Sequence, residues 1–544
     1  MRICKGFWAG LCIAALAGAA AAAGAPSAGP FVFTDVTQSS GLGPHLAEAL
    51  NHGLAWGDFN GDGRPDLFLG NFCDRGAASR AWKTTGLVPN QLFAQTAGGK
   101  FEYVPMPSVE TRGRTSGAVL ADLDNDGLLD LYVNNNTHVK PSAAASRMEP
   151  SALYHNEGGR FVNISKTSGA CPADGAFGRD VTALDYDGDG LLDLLVIEDR
   201  VFRPKAHSRL YRNLGGMKFE DVTARVGLPD DIDGFGVAVA DVNGDAQPDF
   251  FVAGMTARLF LSRPGGRYAE AEGLRPVFDI HSRNGEEYLC CAVFGDLDND
   301  GDLDLIVGTH FAPSRIQVYL NGGLRDGVPQ FRNVTKELGI PALPNKGPCC
   351  AIEDFDNDGL PDMYWSNWFV GGAGHEPFIC RGLDVRDGLP RFAVPPLEGL
   401  DMSLLRSNGV PAGRRGMVYF VDGPPVDYDG DGRLDFFGGA WGDEGSRLLH
   451  NDTPGVGNWL EVRVVGKRMN RMGIGARVRA TAGGAFVGYR DISMSGGYSG
   501  TRGPVARFGL GRREAVDLLV LLPGREPLKF DNVKANQRLV VTEP

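Results

Sequence analysis

Basic residues are in short supply. Fifty-four lysines and arginines stand against 67 aspartates and glutamates in 544 residues, a formal net charge of −13. Nucleic-acid binding needs a basic surface, so that class is excluded. No apolar run beyond the first 30 residues is long enough to span a bilayer. The chain holds no Cys-x-x-Cys, His-Glu-x-x-His, Gly-x-Ser-x-Gly or Walker loop, and its nine histidines show no close pairing. Enzyme chemistry of those kinds therefore has no foothold.

The opening residues, MRICKGFWAGLCIAALAGAAAAAGAPSAGP, carry Arg2 and Lys5, then an apolar run, then small residues. This reads as a secretory leader over residues 1–25, cut near Ala23–Ala25. The mature chain is then secreted, periplasmic or at the cell surface. Loss of Arg2 and Lys5 makes its net charge −15.

The acidity is ordered. The pattern D-x-[DN]-x-D-[GA]-x-x-D occurs seven times, starting at 58, 122, 185, 241, 296, 354 and 427, about 61 residues apart. Positions 1, 3, 5 and 9 are Asp58, Asn60, Asp62 and Asp66 in loop 1, and Asp122, Asp124, Asp126 and Asp130 in loop 2. They are Asp185, Asp187, Asp189 and Asp193 in loop 3, and Asp241, Asn243, Asp245 and Asp249 in loop 4. Loop 5 has Asp296, Asp298, Asp300 and Asp304, loop 6 has Asp354, Asp356, Asp358 and Asp362, and loop 7 has Asp427, Asp429, Asp431 and Asp435. The position-7 carbonyls of Arg64, Leu128, Leu191, Gln247, Asp302, Leu360 and Arg433 complete an oxygen-only set suited to Ca²⁺. Seven such ions bring the mature charge from −15 to −1. An EF-hand is excluded, because position 12 is Leu69 in loop 1 and Val133 in loop 2, where that motif needs a bidentate glutamate. Loop 4 is expected to be the weakest site, with Asn243 at position 3 and Ala246 in place of the turn glycine.

A short apolar stretch precedes each loop, and a strand-like run such as LYVNN or LIVGT follows. Several units then show a strand, an Asn-Gly-type turn and a strand, as in LYHNEGGRFVNIS at 153. Four strands per unit and seven units predict an all-β fold, a seven-bladed β-propeller over 31–450. FVFTDVTQSSGL at 31–42 looks like the end of a repeat and is expected to complete the last blade. Residues 456–544 alternate apolar positions with glycine-rich turns, which predicts a small, antiparallel, β-sandwich-like domain.

The loops resemble the FG-GAP/VCBS repeats of integrin α-subunit propellers. The segment NWLEVRVVGKRMNRMGIGARVRATAGG at 458–484, with GGYSG, RFGLG and NVKANQRLVVTE after it, resembles the ASPIC/UnbV domain. Together they are similar to the cartilage acidic protein family and its bacterial relatives. The resemblance implies extracellular calcium binding and adhesion or matrix interaction, and supplies no catalytic residue. One departure is Leu522-Pro523-Gly524, where the family has Trp-Pro-Ser-Gly.

With the loops on one face, the far ends of the second strands reach the other. They carry Asn71, Asn135, Asn136, His310, Asn367, Trp368 and Trp441. Amides with aromatic rings suit an extracellular carbohydrate or protein ligand. Ordinary polar strand ends with packed tryptophans remain the plainer reading, and a polysaccharide hydrolase or lyase on that face remains the alternative function. Seven cysteines follow the leader: Cys73, Cys171, Cys290, Cys291, Cys349, Cys350 and Cys380. The doublets Cys290-Cys291 and Cys349-Cys350 occupy the same strand of adjacent units, so an inter-blade disulfide is expected there, with a soft-metal site using His310 as the alternative.

Overall fold

The computed structural model describes residues 30–47, 49–72, 88–136, 149–171, 177–199, 207–280, 288–311, 315–342, 346–366, 368–370, 378–394, 417–441 and 445–544. The leader, Cys73 and Asn367 lie outside them. No helix among these residues is long and apolar enough to cross a membrane.

Seven sheets follow one another along the chain. The first is an antiparallel meander of Asn51–Gly57, Asp66–Asn71, Gln91–Thr96 and Lys100–Tyr103. Each acidic loop joins the first two strands of its sheet, and position 9 is the first residue of the second strand or the residue just before it. The last two strands of sheets 1 to 4 meet at glycine pairs with positive φ, such as Gly158 (67°) and Gly159 (89°), which lets so short a turn reverse the chain.

Apolar cores fill every space between successive sheets. Phe68 and Tyr154 join the first sheet to the second, and Tyr132 and Leu194 the second to the third. Ile197 with Phe250, Phe251 with Leu305, and Ile306 with Met363 continue the series to the sixth. Phe355 and Phe436 pack the sixth against the seventh, and Trp56 with Phe437 returns from the seventh to the first. Burying each such side chain contributes about 1.5–3 kcal/mol. The arrangement is propeller-like, and its sheets equal the acidic loops in number. The N-terminal strand Phe33–Asp35 pairs antiparallel with Arg447–Asn451, so the start of the chain supplies the outer strand of the last sheet, as its sequence suggests. The covered edge is one less template for stray pairing.

The C-terminal strands form two sheets around a core of Val462, Val478, Phe508 and Val520. One departs from the antiparallel expectation. Asn458–Val465 and Gln537–Thr542 run parallel, because the long chain between the first and last strand allows the crossover that parallel pairing needs. Leu522, where the resembling family has tryptophan, is buried in this core.

This domain does not stand apart. It sits on the loop face, and its segment 493–502 enters the axis of the ring. Gly500 and Thr501 pair in parallel with Leu54 and Ala55 of the first sheet. Thr501 Oγ1 donates to the Ala118 carbonyl, and the Ala292 N–H donates to the Gly497 carbonyl at 3.3 Å. Ser495 bridges antiparallel to Thr501, closing a hairpin that touches the opening strands of sheets 1, 2 and 5. Gly497 has φ 83°, and a Cβ there would lie 2.6 Å from Cys291 Sγ, so this passage admits only glycine.

Cys291 and Cys350 face each other from the opening strands of sheets 5 and 6, their sulfurs 3.3 Å apart. Both are thiols in the structure. Oxidation is expected to join them. Non-reducing peptide mapping should recover Cys291 linked to Cys350; full alkylation without reduction would contradict this.

Candidate functional site

The loops are built by their own carboxylates. In six of them the position-1 Oδ2 accepts the position-6 N–H at 2.8–3.1 Å. Position 6 has positive φ throughout, from 67° at Ala246 to 98° at Gly127 and Gly301. Position 4 does too, and is Asn125, Asn299, Asn357 or glycine. The sequence marks a sharp turn at position 6 by its glycine; the second one, at position 4, is signalled only by the alternation of glycine and asparagine there. Ala246 is strained as its sequence implied. Ala246→Gly is expected to stabilise the protein by about 1 kcal/mol. Urea unfolding checks this, and a destabilised variant would contradict it.

The position-9 aspartates are structural crosslinks in their own right. In all seven loops Oδ2 accepts the position-2 N–H at 2.8–3.3 Å. In all seven, Oδ1 accepts an N–H of the third strand at 2.6–2.9 Å. Each carboxylate therefore ties loop to sheet. The same third-strand position often bears an amide that reaches the preceding loop. Asn156 donates to the Phe59 carbonyl, Asn213 to Leu123 and Asn451 to Phe355. Gln95, in the first sheet, donates to Tyr428 of loop 7, which links the last loop to the first sheet. The sequence showed these amides only as turn residues of the LYHN and LYRN runs.

Carboxylate oxygens gather in loops 3, 5 and 6. Ligand atoms of Asp185, Asp187 and Asp193, of Asp296, Asp298 and Asp300, and of Asp354, Asp356 and Asp362 lie within 4.8 Å of one another. Asp122 Oδ1, Asp296 Oδ2 and Asp298 Oδ1 are buried with no hydrogen-bond partner. Burial pushes Asp66 and Asp130 up to about 7, and Asp249 and Asp296 up to about 8, with neighbouring loop carboxylates adding to the rise. Burial holds Asp193, Asp304, Asp362 and Asp435 well above the usual carboxylate range for the same reason. Such like-charged, partly unbonded oxygens fit a hard divalent cation.

Arginines of the C-terminal domain meet the position-1 carboxylates from outside. Arg477 pairs with Asp241. Arg538 Nη2 lies 3.2 Å and Arg507 Nη1 3.5 Å from Asp427 Oδ2. The Arg471 N–H donates to Asn125 Oδ1 at 2.8 Å, and the Gly457 N–H to the Asp356 carbonyl at 2.7 Å. Met472, Ile474 and Met494 add apolar contact beside the second and third sheets. Loops 2, 4, 6 and 7 therefore meet the C-terminal domain, while loop tips such as Asp62, Asp126 and Asp189 stay exposed.

On the opposite side the expected ligand amides are placed inside. Asn71, Asn135 and Asn136 are buried. Asn71 Nδ2 donates to the Pro89 carbonyl, Asn135 Nδ2 to the Pro150 carbonyl, and Asn136 Nδ2 to Asp199. They are committed to holding the ends of their sheets, so a ligand surface does not use them. His310 is half-buried and stacks on Tyr288 at 5.0 Å; Tyr288 stacks on Phe235 at 4.6 Å, and Arg179 covers Phe235. Burial, with Lys346 and Arg179 nearby, holds the His310 pKa well below the ordinary histidine value. Trp368 and Trp441 flank Tyr419 in register in the seventh sheet, although Trp368 belongs to the sixth sequence unit.

Comparison with known proteins agrees with this organisation. Residues 58–133, 198–252 and 296–365 match the FG-GAP-like repeat, and residues 466–544 match ASPIC and UnbV. The chain is 24% identical over 499 residues to cartilage acidic protein 1 of Xenopus tropicalis, covering 87% of this chain and 70% of that one. Against the human protein identity is 24% over 431 residues, covering 76% and 60%. Integrin alpha pat-2 of Caenorhabditis elegans is 25% identical over 224 residues, 35% of this chain and 18% of its own. Among solved structures, the rhamnogalacturonan lyase of Bacillus licheniformis aligns at TM-score 0.36 and 14% identity, covering 73% of this chain and 71% of its own; a likeness that slight carries over neither ligand nor chemistry. The chain is a protein of FG-GAP-like repeats with a C-terminal ASPIC and UnbV domain, homologous to cartilage acidic protein 1.

Proposed function

We propose that the chain is a secreted, calcium-stabilised propeller that recognises an extracellular carbohydrate or protein on the face away from its acidic loops. Calcium is mainly structural. The observation that carries this reading is the placement of the loops. Their buried carboxylate oxygens, some with no partner, lie under the C-terminal domain, where a bound ion holds loops, sheets and that domain together. The relatives named cartilage acidic protein 1 and integrin alpha support a binding role.

The opposite face is then the recognition surface, with His310, Asn367, Trp368 and Trp441 as the residues to test. Polysaccharide cleavage is the competing activity. Probing a glycan and matrix-protein array beside a reducing-sugar release assay separates the two. Capture without turnover is expected, and alanine at Trp368 or His310 should weaken it. Sugar release on the captured glycan would replace this reading with a hydrolase or lyase.

A further inference from the structure

The loops are not equivalent in what meets them from the third strand. The residue just before the N–H that binds position 9 differs from unit to unit. It is Arg212 over loop 3 and Arg381 over loop 6, where guanidinium nitrogens lie 2.7 Å from Asp187 and 3.0 Å from Asp356. It is Ala94, Leu261 and Leu320 in units 1, 4 and 5. In units 2 and 7 it is His155 and His450, and both imidazoles meet loop carboxylates.

We infer that loop 2, and loop 7 after it, are mixed nitrogen–oxygen sites for a borderline transition dication of the zinc class, distinct from the oxygen-only loops. The inference rests on the loops being metal sites, as proposed above. His155 Nε2 lies 3.0 Å from Asp124 Oδ2, and ligand atoms of Asp124, Asp126 and His155 all fall within 4.8 Å of one another. Neighbouring ligands on a tetrahedral ion with bonds of about 2.0 Å stand about 3.3 Å apart, so a small movement admits the ion. Asp122 is a second, independent pointer. It is 2% exposed, its Oδ2 takes the Gly127 N–H with Arg471 Nε 3.9 Å away, and its Oδ1 has no hydrogen-bond partner beside the charges of Asp124 and Asp126.

Loop 7 repeats the arrangement with a backing group. His450 Nε2 lies 3.1 Å from Asp429 and 3.4 Å from Asp431, while Nδ1 lies 3.0 Å from Asp452. A carboxylate behind an imidazole fixes the ring and raises its basicity as a ligand. Arg433 also pairs with Asp431, so loop 7 binds more weakly than loop 2. Imidazole nitrogen favours zinc-class ions and adds little for calcium, which takes oxygen. In loops 3 and 6 the guanidinium occupies the corresponding place and offers no lone pair.

The test uses the full chain in excess Ca²⁺, titrated with Co²⁺ by visible absorption and then competed with Zn²⁺, with retained metal counted after desalting. One equivalent of Zn²⁺ for each histidine loop is expected. His155→Gln, which keeps a donor for Asp124, should lose one equivalent, and adding His450→Gln should lose both. Arg212→Gln should change nothing, and Asp452→Asn should weaken the second site about tenfold or more. Excess Ca²⁺ displacing all Co²⁺, or unchanged zinc in the double variant, would overturn the inference and leave the histidines as ion-pair partners. Zinc retained by a chain that binds no calcium would instead sink the calcium reading and leave these sites standing.

Discussion

Asp193→Ala is expected to cost about 3–5 kcal/mol of stability in calcium buffer. The side chain is fully buried at position 9 of loop 3. Its Oδ2 accepts the Tyr186 N–H at 3.0 Å and its Oδ1 the Asn213 N–H at 2.7 Å. Alanine strands two buried donors, each at about 1–3 kcal/mol, and removes a ligand of the proposed calcium ion as well. Asn213 also spans to loop 2 through Leu123, so the damage reaches the neighbouring unit. Asp193→Asn keeps one acceptor and should fall between wild type and alanine. Guanidinium unfolding with calcium present measures this, and a cost below about 1 kcal/mol would show that position 9 does not tie loop to sheet.

Tyr498→Ala should be comparably severe. The ring is 2% exposed and packs with Phe72, Phe235, Cys290 and Cys291 on the axis of the ring of sheets. His52 Nδ1 lies 3.0 Å from the Ser116 carbonyl, which can only accept, so Nδ1 carries the proton. His52 Nε2 is then an acceptor, and Tyr498 donates to it at 3.0 Å. Truncating a buried aromatic costs about 3–5 kcal/mol, and here it also unseats the hairpin that anchors the C-terminal domain. Tyr498→Phe removes only the hydroxyl and should cost about 1–2 kcal/mol. Limited proteolysis should show faster cutting near 452–457 in the alanine variant. Wild-type melting and wild-type proteolysis together would mean that the hairpin does not secure the domain.

Both predictions rest on features of unequal visibility in the sequence. The seven loops, their place between the first two strands and the N-terminal strand of the last sheet were legible, because each is a local pattern repeated at a fixed interval. The third-strand amides were in view but misread. Asn156 and Asn213 look like turn residues, and only the curvature of the ring brings them under the preceding loop. The docking of the C-terminal domain left no periodic trace. Arg477, Arg507 and Arg538 are scattered, and SMSGGYSGT reads as a glycine-rich turn until Gly497 is seen passing Cys291. The polar far ends misled in the opposite direction. Asn71, Asn135 and Asn136 look available in one dimension, yet each is committed to backbone carbonyls or a neighbouring carboxylate.

Thermal unfolding of the full chain in calcium and in chelator decides whether the loops hold calcium. Each ion bound at 100 times its dissociation constant adds about 2.7 kcal/mol to the folded state. Several occupied loops together should therefore lower the melting temperature by about 10 °C or more on chelation, with full recovery when calcium is restored. Superimposable curves in calcium and chelator would contradict the claim.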